Sequence, residues 1–409
     1  MRVDFLRDVL RDREFLAYVV ARQSSWLAYS LESTAVFWQI YSIRHHAFDL
    51  GLVGLILFVP QLALALPAGV LADRYDRRRI CAGVAATEFA MLCVFVWLAL
   101  SGSRSLWSYF TAIVVIGTVH AIGTPAERSL LANIVRPHHF VRAAALSSTI
   151  GQLITIGGPA LAGLLLAIAA PWAFASAAIF YAVASFGFLF LRERASTSDN
   201  LPLWNAAVEG IRFIMQRQII LGAISLDLFA VLFGGATALL PIYASQILHV
   251  GAAGFGILRA APAVGAAVVA AYIARRAITS RAGALLFGCV AGFGVFTIVF
   301  GLSRNFWLSF AALALTGGFD MVSVVIRNAL VQLGTPDGMR GRVSAVENVF
   351  IGASNELGAF ESGAVAALIG AEGSVVLGGI ATLLVIVLWA FVFPALPRFD
   401  RLVKAPSRG

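Results

Sequence analysis

The sequence has few charged residues. Asp, Glu, Lys and Arg make up only 12% of its 409 residues, and 60% of the residues are hydrophobic. A soluble globular domain carries about 25% charged residues. The mean hydropathy of +0.88 points the same way. This composition excludes a water-soluble fold and is typical of a chain that crosses a membrane several times.

Lysine is almost absent, since Lys404 is the only one in the chain. The glycine-rich loop that binds nucleotide phosphates needs a lysine inside a Gly-rich turn, so this kind of ATP site is excluded. The three cysteines, Cys81, Cys93 and Cys289, lie in or beside apolar runs and have no disulfide or metal-site spacing. The motifs of metalloproteases and of serine hydrolases do not occur. The sequence therefore predicts no enzyme, no metal and no cofactor.

Long apolar runs are abundant. A membrane-spanning helix needs about 20 mostly apolar residues, and twelve runs meet this length. We place them at 15–42, 50–72, 80–101, 106–126, 143–168, 172–191, 219–247, 252–274, 282–302, 306–327, 343–369 and 373–394. The sequence thus predicts an all-α membrane protein with twelve transmembrane helices, whose termini lie on the same side.

The basic residues are distributed unevenly over the connections between these runs. The two tails and the even-numbered connections carry nearly all of them, whereas the odd-numbered connections carry only Arg44, Arg104 and Arg304. Cytoplasmic loops are enriched in Lys and Arg, so both termini are predicted to be cytoplasmic in a multi-pass protein of the cytoplasmic (inner) membrane. The net charge of +9 is therefore a topological feature and does not indicate nucleic-acid binding.

The connection at 192–218 is the longest and most polar one. Within it, Trp204, Val208, Ile211 and Met215 recur at helical spacing, which predicts an amphipathic helix lying in the membrane interface. This connection divides the chain into an N-terminal bundle at 1–191, a linker at 192–218 and a C-terminal bundle at 219–409.

The two bundles repeat each other in sequence. Residues 54–60 recur as 256–262, and residues 128–137 match 327–336. A duplicated six-helix half is a common plan of secondary transporters. The repeat therefore favours a transporter over an intramembrane enzyme or a sensor, neither of which needs duplicated halves.

One short connection combines glycine, acid and arginine at fixed offsets. It lies between the second and third apolar runs and contains Gly69, Asp73, Arg74, Arg77 and Arg78. One interpretation is a plain hairpin whose arginines only set topology. The stretch also resembles the signature loop of the major facilitator superfamily, G-x-L-A-D-R-x-G-R-[RK]. It departs from that pattern at Asp76, where the family usually has Gly.

The resemblance implies two pseudo-symmetric six-helix bundles that alternate around a substrate site near the midplane. It also implies that Asp73 is a gate residue at the cytoplasmic face. Arg128, at the cytoplasmic end of the fourth run, is a candidate partner for it. The alternative for Arg128 is a topological charge beside Glu127.

Further stretches resemble a particular branch of the superfamily, the one that holds the enterobactin exporter and macrolide-efflux proteins. The sequence at 123–135 is similar to that branch's G-x-P-A-R-x-A-L-[IL]-P-x-L-V stretch. Gly158, Pro159 and Gly163 resemble the fifth-helix motif of antiporters, G-P-x-x-G-G, in which they imply a hinge. The alternative is that these small residues serve packing alone.

Several carboxylates interrupt the apolar runs and are candidates for proton coupling, because a buried carboxylate can load and release a proton. In order of preference they are Glu32, Asp227, Glu356, Glu361 and Asp320. The cations available to hold them in a cavity are Arg22 and Arg259. Each carboxylate can instead belong to a satisfied ion pair, and Asp320 lies on the same helical face as Arg327.

Two other polar residues in the spans receive less weight. Glu88, near the cytoplasmic end of the third run, is interpreted as structural. His120, in the fourth run, titrates at about pH 6.5 when unperturbed, but a lone histidine on such a helix is more often only hydrogen-bonded.

These observations predict a secondary active transporter that exports small, lipophilic molecules in exchange for protons, as a monomer in the bilayer and without a nucleic-acid partner. Two transport alternatives remain, export of a siderophore-like metabolite and uptake.

Overall fold

The computed structural model describes residues 13–134, 137–191, 203–276 and 280–400. These ranges are helical almost throughout, and no strand occurs in them. Ten of the helices are long and apolar enough to cross a membrane.

The described part of the first half of the chain contains six long helices, here called spans one to six. Their bounds are Arg13–Arg44, Ala47–Arg74, Arg77–Leu100, Leu106–Ile134, Pro137–Ile168 and Ala170–Leu189.

The second half begins with a shorter helix, Leu203–Gln216, here called the linker helix. Span seven, Gln218–Ile247, is irregular: an α-helix to Phe233 is followed by a 3₁₀ turn and ends in a π-helical turn. The remaining helices are Gly251–Arg275, Ala282–Leu302, Phe306–Gly334 and Asp337–Val392, of which the first three are spans eight to ten.

The last helix is two spans, spans eleven and twelve, joined at Gly370. This residue has φ 83° and ψ 162°, a combination that only glycine adopts readily, and it ends one span and starts the next. The predicted spans 343–369 and 373–394 meet at this break. Because one of the ten apolar helices is divided here, these ten helices contain eleven spans. The helix Arg13–Arg44 is long enough to cross a membrane but more polar, and it is the twelfth span. The predicted all-α fold with twelve transmembrane helices is confirmed.

The chain forms two compact units. The first comprises Met1–His45, Ile56–Leu203 and Gly251–Ala260, and the second comprises His46–Leu55, Trp204–Val250 and Ala261–Gly409. Spans two and eight therefore each contribute residues to both units. The predicted domain boundaries around the linker stay predictions.

The surface of the helices is apolar. Trp107, Leu368 and Phe391 are each more than 80% exposed, at 82%, 85% and 81%. Such side chains would be unfavourable in contact with water but suit the hydrocarbon of a bilayer. The protein is a multi-pass membrane protein.

An aromatic layer in the first unit holds spans three, four and six together. The ring of Phe95 lies 5.5 Å from that of Tyr109 and 5.2 Å from that of Phe174. Residues seven apart lie on the same face of a helix. Glu88 on span three and Tyr181 on span six are each seven residues from this layer, so the antiparallel packing of the two helices brings them together.

Candidate functional site

The signature loop is a helix start stabilised by its own aspartate. Asp76 caps span three: Oδ1 accepts hydrogen bonds from the backbone N–H of Arg78 at 3.0 Å and of Arg79 at 3.3 Å. Oδ2 accepts from Nε of Arg78 at 2.7 Å. The departure from the family pattern at Asp76 therefore has a physical reason, since an aspartate at this position satisfies backbone donors that a glycine leaves open.

The arginines of the loop tie it to neighbouring backbone. Arg78 Nη1 donates to the carbonyl of Leu191 at 2.7 Å, which fixes the loop to the end of span six. Arg77 is buried and its Nε donates to the carbonyl of Ala72 at 3.0 Å. Gly69 lies inside span two near its end, and Arg74 is exposed at that end. These contacts give the loop a role in local structure, and its effect on topology stays a prediction.

The predicted gate contact is not tested by the structure. The side chain of Asp73 lies outside the described residues, and Arg128 is exposed on span four. A role for either residue in gating stays a prediction.

Glu32 is buried in the first unit, with its side chain on span one and 4% of its surface exposed. Its Oε2 accepts a hydrogen bond of 3.0 Å from the hydroxyl of Tyr181, which is itself 1% exposed. Glu88 interacts electrostatically with Glu32 and with that hydroxyl. In the part of the chain that the structure describes, no arginine pairs with Glu32.

Glu88 is as buried as Glu32, with 2% of its surface exposed. Its Oε1 lies 3.8 Å from Nδ1 of His120 on span four. The imidazole of His120 stacks on the ring of Tyr29 with centroids 4.9 Å apart, and its side chain is 40% exposed. Two buried carboxylates, a tyrosine and a histidine thus form one cluster on spans one, three, four and six.

The two predicted cavity cations are engaged elsewhere in the first unit. Arg22 Nη1 lies 3.3 Å from Oε1 of Glu127 and donates to the backbone carbonyl of the same residue at 3.3 Å. The guanidinium of Arg259 lies over the ring of Phe37 at 5.0 Å from its centroid, and donates to the hydroxyl of Ser33 at 3.4 Å.

Asp227 occupies a different environment, in the second unit. It forms an ion pair with Arg327, whose Nε also donates to Oε1 of Glu347 at 3.0 Å. All three side chains are less than 10% exposed. Such a network is costly to break, because removing one partner leaves an uncompensated buried charge. Asp227 therefore has the satisfied ion pair that Glu32 does not have.

Asp320 lies next to this network rather than in it. It lines a small cavity of about 10 Å³, room for the centre of one water molecule, together with Asp227 and Ser323. The ion pair of Asp320 with Arg327 that helical spacing suggested is not found among the described residues. Arg327 is instead held by Asp227 and Glu347, from two other helices.

The remaining candidates lie on span eleven, which packs closely against span two in the second unit. Added to Gly54, a Cβ would lie 2.5 Å from the carbonyl oxygen of Glu356, and added to Gly51 it would lie 3.1 Å from Cα of Gly363. Glu361 accepts a hydrogen bond of 3.4 Å from the hydroxyl of Ser362. Small residues here permit contact between helix backbones.

The glycines of the predicted hinge lie at helix contacts in the first unit. A Cβ on Gly158 would collide with the hydroxyl of Ser30, and on Gly163 it would lie 2.7 Å from both the carbonyl of Ala252 and Cα of Gly256. Pro159 lies inside span five between them. Close packing is therefore established, and hinge movement stays a prediction.

Comparison with known proteins shows the family of this chain. A family model described as "Transmembrane secretion effector" matches residues 9–408. The chain belongs to this family. It is a family of major facilitator superfamily transporters, so the protein is a membrane transporter with a small-molecule substrate.

The relatives and solved structures are also transporters. The enterobactin exporter EntS of Citrobacter koseri is 26% identical over 399 residues, covering 96% of this chain and 95% of that protein. The enterobactin exporter EntS of Shigella flexneri is 26% identical over 395 residues, covering 94% and 93%.

Solved structures share the fold at low identity. The nucleoside transporter NupG superposes with a TM-score of 0.72 at 12% identity, covering 94% of this chain and 100% of that one. A bacterial homologue of the human lysosomal transporter Spinster superposes with a TM-score of 0.71 at 14% identity, covering 97% and 99%.

Within the family fold, equivalent helices carry ion pairs of opposite polarity. Spans one and four pair Arg22 with Glu127, whereas spans seven and ten pair Asp227 with Arg327. The sequence repeat that aligns 128–137 with 327–336 places both pairs at corresponding ends of spans four and ten. Sequence reasoning missed Glu127 and Glu347 as partners because each lies on a different helix from the arginine it holds.

Sequence reasoning also missed the contribution of Glu88 and His120. Each is one titratable residue in an apolar run of the sequence. One signal was available for Glu88. It lies seven residues before Phe95, and Tyr181 lies seven residues after Phe174, so Glu88 and Tyr181 each share a helix face with a large aromatic residue.

Proposed function

We propose that this protein is a secondary active exporter that moves small, lipophilic molecules out of the cell in exchange for protons, by alternating access. Family membership supports transport, and the 26% identity to enterobactin exporters supports the outward direction. The proposal places the protein in the cytoplasmic (inner) membrane as a monomer with both termini in the cytoplasm, because the arginines concentrate on that face.

The observation that carries proton exchange is the pair of buried carboxylates Glu32 and Glu88. An ionised group inside a membrane is costly unless it is paired, hydrated or protonated. Among the described residues no arginine pairs with either carboxylate, and their polar partners are Tyr181 and His120. Two carboxylates close to each other without a cation repel, which favours binding of a proton by the pair.

The substrate class is inferred from the arginines of the spans. Arg22 is paired with Glu127, and Arg327 is paired with Asp227 and Glu347. These cations are neutralised by the protein itself, which favours a substrate without strong negative charge. The second candidate is a siderophore-like metabolite, and the name of the relatives, enterobactin exporter, favours it.

The test is flux into proteoliposomes whose interior is more acidic than the medium. Protons leaving the vesicle should drive a lipophilic dye inward, and collapsing the gradient with an ionophore should abolish this accumulation. A catecholate siderophore in the same assay tests the second candidate. Vesicles that contain the Glu32→Gln variant provide the control for passive dye partition.

Two outcomes would contradict the proposal. Accumulation that is indifferent to the direction of the pH gradient would exclude proton exchange. Accumulation driven only by an alkaline interior, with protons and substrate moving together, would indicate proton-coupled uptake in place of export.

A further inference from the structure

The first unit contains a buried polar cluster inside the membrane. It consists of Glu32, Tyr181, Glu88 and His120, from spans one, six, three and four. The four side chains follow one another: Tyr181 donates to Glu32 at 3.0 Å and interacts with Glu88, and Glu88 lies 3.8 Å from His120. The first three side chains are less than 5% exposed, whereas that of His120 is 40% exposed.

The charges around this cluster are uneven. Its electrostatic neighbours are Glu127, which interacts with Glu88 and His120, and the cations Arg22 and Arg128, which interact with Glu127. Since Arg22 is paired with Glu127, it does not neutralise Glu32 or Glu88. The cluster thus holds two carboxyl groups and one titratable imidazole.

The tyrosine hydroxyl makes the two carboxyl groups interdependent. A hydroxyl has one proton to donate but two lone pairs to accept. When Tyr181 donates to Glu32, its contact with Glu88 is satisfied only if Glu88 is protonated and donates to the tyrosine oxygen. When the proton resides on Glu32, the two hydrogen bonds reverse. A proton that enters the pair can therefore reside on either Glu32 or Glu88, and the direction of the two hydrogen bonds of Tyr181 follows its position.

We propose that Glu32, Tyr181, Glu88 and His120 form a proton relay, in which His120 is the entry and Tyr181 passes the proton between the two carboxyl groups. This inference rests on the proposed proton exchange and assigns its path. An ionisable side chain that is exposed within a span faces a water-filled space rather than lipid, which suits His120 to the entry position.

The transfer balances without any other reactant. The imidazole of His120 takes a proton from water and gives the one on Nδ1 to Oε1 of Glu88. The carboxyl of Glu88 then donates its proton to the oxygen of Tyr181, as that hydroxyl gives its own proton to Oε2 of Glu32. Only N–H and O–H bonds form and break. The 3.8 Å between Nδ1 and Oε1 is longer than a direct hydrogen bond, so the first step needs a small approach or one bridging water.

The experiment compares Tyr181→Phe with Tyr243→Phe. Both tyrosines are buried, at 1% and 0% exposure, and each donates one hydrogen bond of 3.0 Å, but Tyr243 donates to the backbone carbonyl of Gly301 in the second unit. Two fluxes are measured with a lipophilic dye in proteoliposomes: accumulation driven by an acidic interior, and exchange of labelled for unlabelled dye without a gradient.

We expect Tyr181→Phe to lower the pH-driven flux about tenfold or more, the scale of a lost proton-transfer group, while exchange is retained. Tyr243→Phe should leave the ratio of the two fluxes unchanged. Equal ratios in the two variants would overturn the relay. If the unmodified protein itself shows no pH-driven flux, the proposed function fails, and the relay fails with it.

The histidine gives a second measurement that does not depend on a buried substitution. His120→Asn should shift or flatten the pH profile of the driven flux, because the entry group no longer titrates. His249→Asn is the matched control, since His249 is exposed and its backbone, with φ 54°, suits asparagine. This measurement decides alone if Tyr181→Phe does not fold. A pH profile of His120→Asn that equals the profile of the unmodified protein would then overturn the proposal.

Discussion

Tyr181 donates a hydrogen bond of 3.0 Å to Glu32 across a separation of 149 residues in sequence. The carboxylate that it reaches is 4% exposed and has no arginine partner among the described residues. Asp227, in a corresponding span of the second half, is 6% exposed but is paired with Arg327. Two carboxylates that look alike in the sequence therefore have different partners, which leads to different expectations for their removal.

The first prediction contrasts Glu32→Gln with Asp227→Asn. Glu32→Gln should abolish pH-driven flux, because glutamine cannot bind and release a proton. It should leave the unfolding temperature nearly unchanged, because the neutral side chain has the same shape and no cation loses its partner. Asp227→Asn should lower the unfolding temperature, because one of the two carboxylates on Arg327 loses its charge. Unfolding in detergent and flux in proteoliposomes are measured on the same preparations.

A reversed result would contradict this assignment. If Asp227→Asn keeps its unfolding temperature but loses pH-driven flux, the coupling group lies in the second unit and Glu32 has a structural role.

The second prediction concerns Arg327. Arg327→Met should destabilise the second unit by about 3–5 kcal/mol, because Asp227 and Glu347 then remain buried together without a cation. Cys289 lines the cavity beside Asp227 and is buried, so its reaction with a thiol-reactive dye reports local unfolding. A background lacking the exposed Cys93 removes the early signal.

Two controls accompany this measurement. Buried Cys81, in the first unit, should react at its usual temperature if the loss is confined to the second unit. Arg304→Met should have little effect, since Arg304 is 77% exposed and its contact with Glu372 is 3.5 Å long. A similar loss in both arginine variants would mean that the buried network contributes no special stability.

The third prediction concerns close packing on span five. Gly163→Ala places a methyl group 2.7 Å from the carbonyl of Ala252 and from Cα of Gly256, which are backbone atoms and cannot turn aside. We expect lower stability and slower transport in this variant. Gly157→Ala, where nothing lies within 4 Å of the added Cβ, should behave like the unmodified protein. Equal activity and stability in the two variants would show that spans five and eight are not held at this distance.

The fourth prediction concerns the cap of span three. Asp76→Ala removes the acceptor of two backbone N–H groups and should cost about 1 kcal/mol, whereas Asp76→Gly should cost only a few tenths. Asp337→Ala is the control, because that side chain is 89% exposed and pairs with Arg340 at the surface. The difference between the two Asp76 variants, measured by thermal unfolding, distinguishes a cap from a purely electrostatic role. If Asp76→Gly is as damaging as Asp76→Ala, the pairing with Arg78 matters more than the cap.

The sequence by itself determined the parts of this protein that depend on local composition. Run length and hydropathy placed the twelve spans, because the thickness of a bilayer sets the number of apolar residues that a helix needs. The break at Gly370 was visible as a gap between two runs, since a glycine there admits a backbone that other residues avoid. The signature loop indicated the superfamily because its residues are adjacent in the chain.

Only the tertiary structure decided which buried charges are paired. Glu32, Glu88 and Asp227 are each one acidic residue in an apolar run, and nothing in their immediate sequence distinguishes them. Their partners come from other helices, and helix packing fixes which side chains meet. Arginine neutralises Asp227, whereas a tyrosine hydroxyl faces Glu32 and a histidine faces Glu88.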